Sequence, residues 1–173
     1  MNQALINILC IFILTILFLY IFINPNTQLL GKNVWYDPQR LFAYELDGLQ
    51  TSQQVFDIYT LSHITHGILF YFILYYFNFS NTWIVYISVG LEWLWEIIEN
   101  TPYIVSKYRS NSAYKNYKGD SIANILGDKI GTILGVFLAM ESPSIAIMYA
   151  VISEIMLYPY KANLLYLTIS AFF

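Results

Sequence analysis

DIYTLSHITHGILFYFILYYFNFSN, residues 57 to 81, decides how the rest of the chain is read. From Asp57 to Phe77 it is an apolar run that, at about 1.5 Å per residue, is long enough to cross a bilayer as a helix. The polar NFSN at 78 to 81 is short enough to reverse the chain into a second, antiparallel helix. Inside the run stand His63 and His66, the two histidines of the chain, three positions apart and on neighbouring faces of a helix. A segment bound for hydrocarbon has no use for imidazoles unless they face something polar.

The same apolar pattern recurs to either side. Residues 4 to 23, ALINILCIFILTILFLYIFI, are twenty positions without a charge and make a first span. This segment reads as an uncleaved anchor rather than a secretory signal peptide. It lacks a basic leader, and Asn24-Pro25-Asn26 is no small-residue cleavage site. Further apolar segments at about 82 to 98, 121 to 140 and 144 to 158 bring the expected spans to five. The tail from Ala162 to Phe173 is too short to span alone and is a candidate to re-enter the bilayer. Pro102 marks the end of the third span. The expected fold class is all-α, a polytopic transmembrane helix bundle forming one integral membrane domain over residues 1 to 173.

Composition agrees. The chain is 58% hydrophobic and 11% charged, whereas soluble domains carry about 25% charged residues. Cys10 is the single cysteine, so no intramolecular disulfide can form. No nucleic-acid partner is expected; the lipid bilayer is, and an oligomer is compatible with the sequence. Lys and Arg gather on cytoplasmic loops. Lys32 and Arg40 fall in the loop 25 to 56, Lys107, Arg109, Lys115 and Lys118 in the loop 100 to 119, and Lys161 after the fifth segment. Seven of the eight basic residues therefore agree on one multi-pass topology: N-terminus outside, both of these loops cytoplasmic.

Polar residues recur at helical spacing inside the spans. Glu92, Glu96 and Glu99 form one stripe at i, i+4 and i+7, and Asp120, Asn124 and Asp128 form another at i, i+4 and i+8. Asp120 or Ser121 suits a helix N-cap. Counted by depth from the cytoplasmic side, His66, Glu92 and Asp128 share one level, and His63, Glu96, Asn124 and Glu154 another. Ionisable groups at such depths normally face a bundle interior or a wet cavity. A polar pocket open to the cytoplasm is therefore expected. Gly127, Gly131 and Gly135, spaced four apart, let a neighbouring helix approach closely.

Three chemistries use such a pocket. Imidazoles with carboxylates hold zinc, iron or manganese, and a bound metal activates water; HExxH and the Glu-x-x-His pair of di-iron bundles are both absent. Acids and imidazoles also make proton relays for transport. Neutral polar groups can simply hydrogen-bond helices together. The third loop, PYIVSKYRSNSAYKNYKGD (102 to 120), interleaves basic residues with tyrosines, a pattern that attracts anionic lipid headgroups or merely sets topology.

YTLSHITHG (59 to 67), WEIIENTPYIVSKYR (95 to 109), YKGDSIANILGD (117 to 128) and EIMLYPYKANLLYL (154 to 167) resemble, in order, the signature segments of a bacterial family of integral membrane proteins known only as a domain of unknown function. The SHIxHG, WExxENTP and GDSxxN motifs carry the resemblance. It implies an inner-membrane protein with no assigned reaction. It also transfers weight to Asp57, Ser62, His63, His66, Glu96, Glu99, Asn100, Arg109, Asp120, Ser121, Asn124 and Asp128. Two departures stand out. Ser52-Gln53-Gln54 replace the family's Ser-Gln-His run, removing a third imidazole, and Lys161-Ala162-Asn163 replace an Arg-Asp-Asn run. A fainter likeness to VanZ-like membrane proteins carries no function.

The expectation drawn from these features is a membrane-embedded, metal-dependent enzyme on a lipid-like substrate. Its catalytic candidates are His63, His66, Glu92, Glu96, Glu99, Asp120, Asn124 and Asp128. Its substrate-binding candidates are Arg109 and Lys107, and its divalent-metal ligands are His63, His66, Glu96 and Asp128. The alternatives are a structural membrane bundle held by a polar network and a proton- or ion-coupled transporter.

Overall fold

The computed structural model describes residues 40–110 and 115–172, with Ile13, Thr15 and Ile16. The expected first span, most of the first loop and the N-terminal orientation lie outside the described residues.

Asp57 seats the start of the first described helix. Its Oδ1 accepts the amides of Tyr59 (2.8 Å) and Thr60 (3.2 Å), and its Oδ2 accepts that of Ser52 (2.8 Å). Donors otherwise orphaned at a helix start are thereby satisfied. Two short extended pieces, β1 (Phe42–Ala43) and β2 (Phe56–Asp57), pair in parallel just before it, Phe42 opposite Phe56. Helix α1 (Thr60–Tyr76) follows and ends in a turn whose Asn78 takes a left-handed φ of 62°, a conformation asparagine tolerates. Helix α2 (Asn81–Glu99) runs back, and Pro102 opens the short α3 (Pro102–Ser110). Helix α4 (Ile122–Glu141) is capped by Ser121, whose hydroxyl accepts the Asn124 amide at 3.1 Å. Pro143 restarts the chain as α5 (Pro143–Leu157) after one residue. A 3-10 turn (Tyr158–Tyr160) leads to α6 (Leu164–Phe172).

The chain is thus an all-α bundle of six described helices. At about 1.5 Å per residue, the nine-residue α6 reaches roughly 13 Å, short of a crossing. Among the described residues one helix, Ile122–Glu141, is long and apolar enough to cross a membrane by length and composition.

Helices α1 and α4 meet backbone to backbone. A Cβ added at Gly67 of α1 would stand 1.9 Å from the Thr132 carbonyl oxygen, and one at Gly135 of α4 would stand 2.0 Å from that of Ile64. Gly127 does the same against the Val55 carbonyl. Small residues permit this approach, which brings the polar faces of the two helices within reach of each other.

Apolar clusters close both ends of the crossing. Tyr59, Ile104, Tyr108, Leu157 and Leu167 join the start of α1 to α3, α5 and α6. Ile68, Tyr71, Ile84, Val136 and Ala146 join the other ends of α1, α2, α4 and α5. Along α1, His63 and His66 lie between these clusters. Between the clusters, charged side chains are buried and apolar ones stand out: His63, Glu92, Glu96, Asp128 and Lys129 are 0 to 7% exposed, while Leu69, Ile73, Leu134, Phe137, Ile147 and Val151 are 45 to 54% exposed.

Candidate metal centre

Helix α1 turns Thr60, His63 and His66 inward, α2 contributes Glu92 and Glu96, and α4 contributes Asn124, Asp128 and Lys129; all are buried. Glu92 receives both imidazoles. It is in direct hydrogen-bonding contact with His63 Nδ1, and its Oε2 lies 3.2 Å from His66 Nδ1. The other nitrogen of His63, Nε2, is 3.7 Å from Asp128 Oδ2, and its Nδ1 is 4.0 Å from Glu96 Oε1. Thr60 donates its hydroxyl to Asp128 Oδ1 at 2.9 Å, and Thr132 donates to the His63 carbonyl at 3.1 Å.

Lys129 is the cation of the core. Its ammonium stands 3.3 Å from Glu96 Oε1 and 4.6 Å from the centre of the Trp93 ring, a position that combines an ion pair with a cation–π contact. Among the described residues, the buried second carboxylate oxygen of Glu96, Oε2, finds no hydrogen-bond donor and Asn124 Nδ2 no acceptor. Buried polar atoms left this way are expensive.

Three sets of side chains bring donor atoms within 4.8 Å of one another: His63, His66 and Glu92; His63, Glu96 and Asp128; and Glu96, Glu99 and Asp120. Their chemistry, imidazole nitrogen with carboxylate oxygen, suits a divalent metal ion. The sets share His63 and Glu96 and run as one chain of ligands from the middle of α1 and α2 to the start of α4.

At that end the network is tied down. Asn100 donates to Asp120 Oδ2 at 2.8 Å and accepts the Asp120 amide at 2.7 Å, while Tyr117 donates to the same carboxylate at 2.9 Å. Burial pushes the Asp120 carboxyl above the usual carboxylate range, against the pull of the Asn100 and Tyr117 hydrogen bonds. Burial, with the Asp120 charge beside it, likewise pushes the Tyr117 hydroxyl well above its ordinary value. Gln53 closes the loop, donating to the Gly119 carbonyl at 2.9 Å and accepting the Ser121 hydroxyl on its own carbonyl at 2.7 Å. A cavity of about 30 Å³ remains beside His63, His66, Glu99, Asp120, Asn124 and Asp128. That is room for water rather than for a large substrate.

The structure therefore brings His63, His66, Glu92, Glu96 and Asp128 into one cluster, with Glu99 and Asp120 joined through Glu96 and with Asn124 on the cavity wall. The partners are offset by one turn from the depth count. His63 as well as His66 meets Glu92, and His63 meets Asp128. Glu154 leaves the set altogether: its carboxylate accepts the Leu164 amide and the Asn163 side chain, both at 2.8 Å, and so caps α6. Arg109 and Lys107 do not line the cavity. Arg109 is exposed and donates to the Tyr117 carbonyl, and Lys107 lies 5.8 Å over the Tyr103 ring. Lys129, a lysine inside an apolar span that the sequence leaves to pair with a carboxylate or snorkel to the headgroups, pairs with Glu96. Thr60, Tyr117 and Gln53 are additions to the sequence reading: Thr60 stands at helical spacing from His63, and Tyr117 and Gln53 sit in loops without periodic pattern.

Comparison with known proteins places this arrangement in a lineage. A UPF0314 protein of Brucella anthropi is 36% identical over 97 residues, 55% of this chain and 50% of that protein. A UPF0314 protein of Sphingopyxis alaskensis is 40% identical over 92 residues, 52% and 48% of the two chains. One from Novosphingobium aromaticivorans is 39% identical over 111 residues, 60% and 56%. The chain spans about half the length of the curated relatives it matches. No solved structure matches. Residues 35–170, which contain every member of the buried network, match the family described as protein of unknown function (DUF2585), and the chain belongs to that family.

Proposed function

We propose that this chain is an integral membrane protein whose helices are bound together by the His/Glu/Asp network, and that the network takes up one divalent transition-metal ion at His63, Glu96 and Asp128. Excess negative charge carries the reading. The buried carboxylates of Asp57, Glu92, Glu96, Asp120 and Asp128 outnumber the buried ammonium found among the described residues, that of Lys129, and a divalent cation would offset part of the excess. The buried Glu96 Oε2, without a hydrogen-bond donor, supplies a free ligand atom. His63 is presented as metal-binding histidines usually are, with one ring nitrogen held by a carboxylate, Glu92, and the other turned towards a second carboxylate, Asp128. Three protein ligands leave a coordination position for water, and a metal held so lowers the pKa of that water.

The membrane part rests on the inverted polarity of the bundle. Half-exposed Leu, Ile, Val and Phe surround an interior of charged and imidazole side chains, an arrangement that suits lipid outside and is costly in water. The proposed topology keeps the N-terminus outside and the loop before α4 on the cytoplasmic face of the plasma membrane. The Lys and Arg of that loop then face anionic headgroups.

A second reading has its own observation. Both imidazoles contact Glu92, and contacts of that kind join helices in a polar network with no metal. Metal analysis of protein purified in detergent separates the two. The metal reading expects one equivalent of zinc, iron or manganese in the wild type, lost in His63→Gln and in Asp128→Asn while both variants still melt cooperatively. A cooperatively melting wild type without metal after incubation with each ion would establish the metal-free network instead.

A further inference from the structure

A centre built on His63, Glu96 and Asp128 leaves Glu99 and Asp120 over. With Glu96 they place one carboxylate oxygen each within 4.8 Å of one another. Glu96 and Glu99 stand at i and i+3 on the last turn of α2, and Asp120 lies one residue before the Ser121 cap of α4. Around a small divalent ion with bonds of about 2.1 Å, opposite ligand atoms stand about 4.2 Å apart. The three oxygens therefore reach one cation with shifts of a few tenths of an ångström each.

Two features besides the carboxylate spacing point to a ligand. Glu96 is fully buried, and its Oε2 finds no donor among the described residues, while its Oε1 already stands 3.3 Å from Lys129. A cation supplies the partner that Oε2 lacks. Asn124 is 1% exposed, its Nδ2 finds no acceptor among the described residues, and it lines the cavity of about 30 Å³ together with Glu99 and Asp120. An unpaired donor in the wall of a water-sized polar cavity calls for an oxygen held there, and water on a bound cation provides it. Asp120 is moreover presented as metal-binding carboxylates are: Asn100 and Tyr117 both donate to its Oδ2, at 2.8 and 2.9 Å, and so fix the orientation of the group.

We infer a second cation site at Glu96, Glu99 and Asp120, for a hard divalent ion, manganese or magnesium, that shares the Glu96 carboxylate with the centre at His63. The donor set decides the ion. Three carboxylates and water, with no imidazole, suit manganese or magnesium rather than zinc, whereas His63 gives the first centre its nitrogen. Hard ions also lie low in the affinity order of divalent metals, so the protein keeps the first ion through purification and takes the second from solution. This site rests on the proposed centre only for the sharing of Glu96; Glu99, Asp120 and the cavity wall are its own.

The test loads the detergent-purified full chain with one equivalent of zinc and titrates it with manganese(II), reading free manganese by electron paramagnetic resonance. One manganese ion per chain should be retained with the zinc still bound. Glu99→Gln should weaken that retention at least about tenfold while the variant keeps its zinc and melts cooperatively. Glu141→Gln, at the exposed end of α4, should leave it unchanged. With manganese in both sites the wild type should show a spin-coupled pair, because metal ions paired in this way stand about 3.5–4 Å apart, and Glu99→Gln should show the spectrum of an isolated ion. Manganese that displaces the zinc, retention unchanged in Glu99→Gln or lost equally in Glu141→Gln, or two bound ions without coupling would overturn the second site. Zinc retained without manganese would also overturn it and leave the first centre standing. Manganese held through Glu99 in a chain that takes up no zinc would remove the first centre and leave this one.

Discussion

Replacing Gly67 with alanine should part the two helices on which the buried network depends. The new Cβ would stand 1.9 Å from the Thr132 carbonyl oxygen and 2.9 Å from the Val136 amide nitrogen, both backbone atoms of α4. Carbon–oxygen contacts settle at about 3.3 Å, so the helices must separate by roughly 1.4 Å. That displacement would stretch the 2.9 Å hydrogen bond from Thr60 to Asp128 beyond bonding range and carry His63 Nε2 away from Asp128, now 3.7 Å distant. Overpacking alone costs about 1–3 kcal/mol, and losing a hydrogen bond to a buried carboxylate adds about 1.5–3 kcal/mol. A loss of roughly 2.5–6 kcal/mol is therefore expected, read by equilibrium unfolding in mixed detergent micelles. Gly90 of α2 is the control, because a Cβ there meets nothing within 4 Å. Gly90→Ala should stabilise by up to about 1 kcal/mol through helix propensity. Equal stability of Gly67→Ala and wild type, or equal damage from Gly90→Ala, would refute the close-crossing argument.

Other perturbations probe other parts of the network. Lys129→Met leaves Glu96 buried without its 3.3 Å cation and should cost about 3–5 kcal/mol, most of it recovered by adding Glu96→Gln; a double variant no better than the single one would show that the pair is not coupled. Asp120 has its folded pKa raised by burial, so its contribution is largest when it is protonated and is lost as pH rises through that raised value. Unfolding measured from about pH 7 down to about pH 4 should therefore show wild type gaining stability relative to Asp120→Asn, and a gap independent of pH would contradict this. Glu154→Ala removes the acceptor for the Leu164 amide and should cost about 1–2 kcal/mol, with faster hydrogen exchange confined to α6; exchange rising equally in α1 would show that α6 is not an independent cap.

Much of the bundle is legible in the chain, because apolar runs broken by NFSN, Pro102 and ESP leave little choice of where α1, α2, α4 and α5 begin and end. The inward faces are equally legible. Glu92 with Glu96, and Asn124 with Asp128, repeat at helical spacing, and that spacing alone selects one face. Which side chain meets which is not legible. Partner choice depends on how α1, α2 and α4 pack: Glu92 meets both imidazoles, and Asp128 meets His63. Glu154 shows the same limit, since its depth fits the polar level while its carboxylate turns to the α6 amides. The loop at Ser52, Gln53 and Asp57 carries no periodic signal, yet its hydrogen bonds seat the starts of both α1 and α4.

X-ray absorption fine structure of zinc-loaded wild-type protein, beside His63→Gln, tests the central claim most directly. The account predicts a nitrogen and oxygen shell at about 2.0–2.1 Å that includes imidazole scattering in the wild type and loses it in the variant. A shell of water oxygens alone, a sulfur ligand, or a spectrum unchanged by His63→Gln would contradict it.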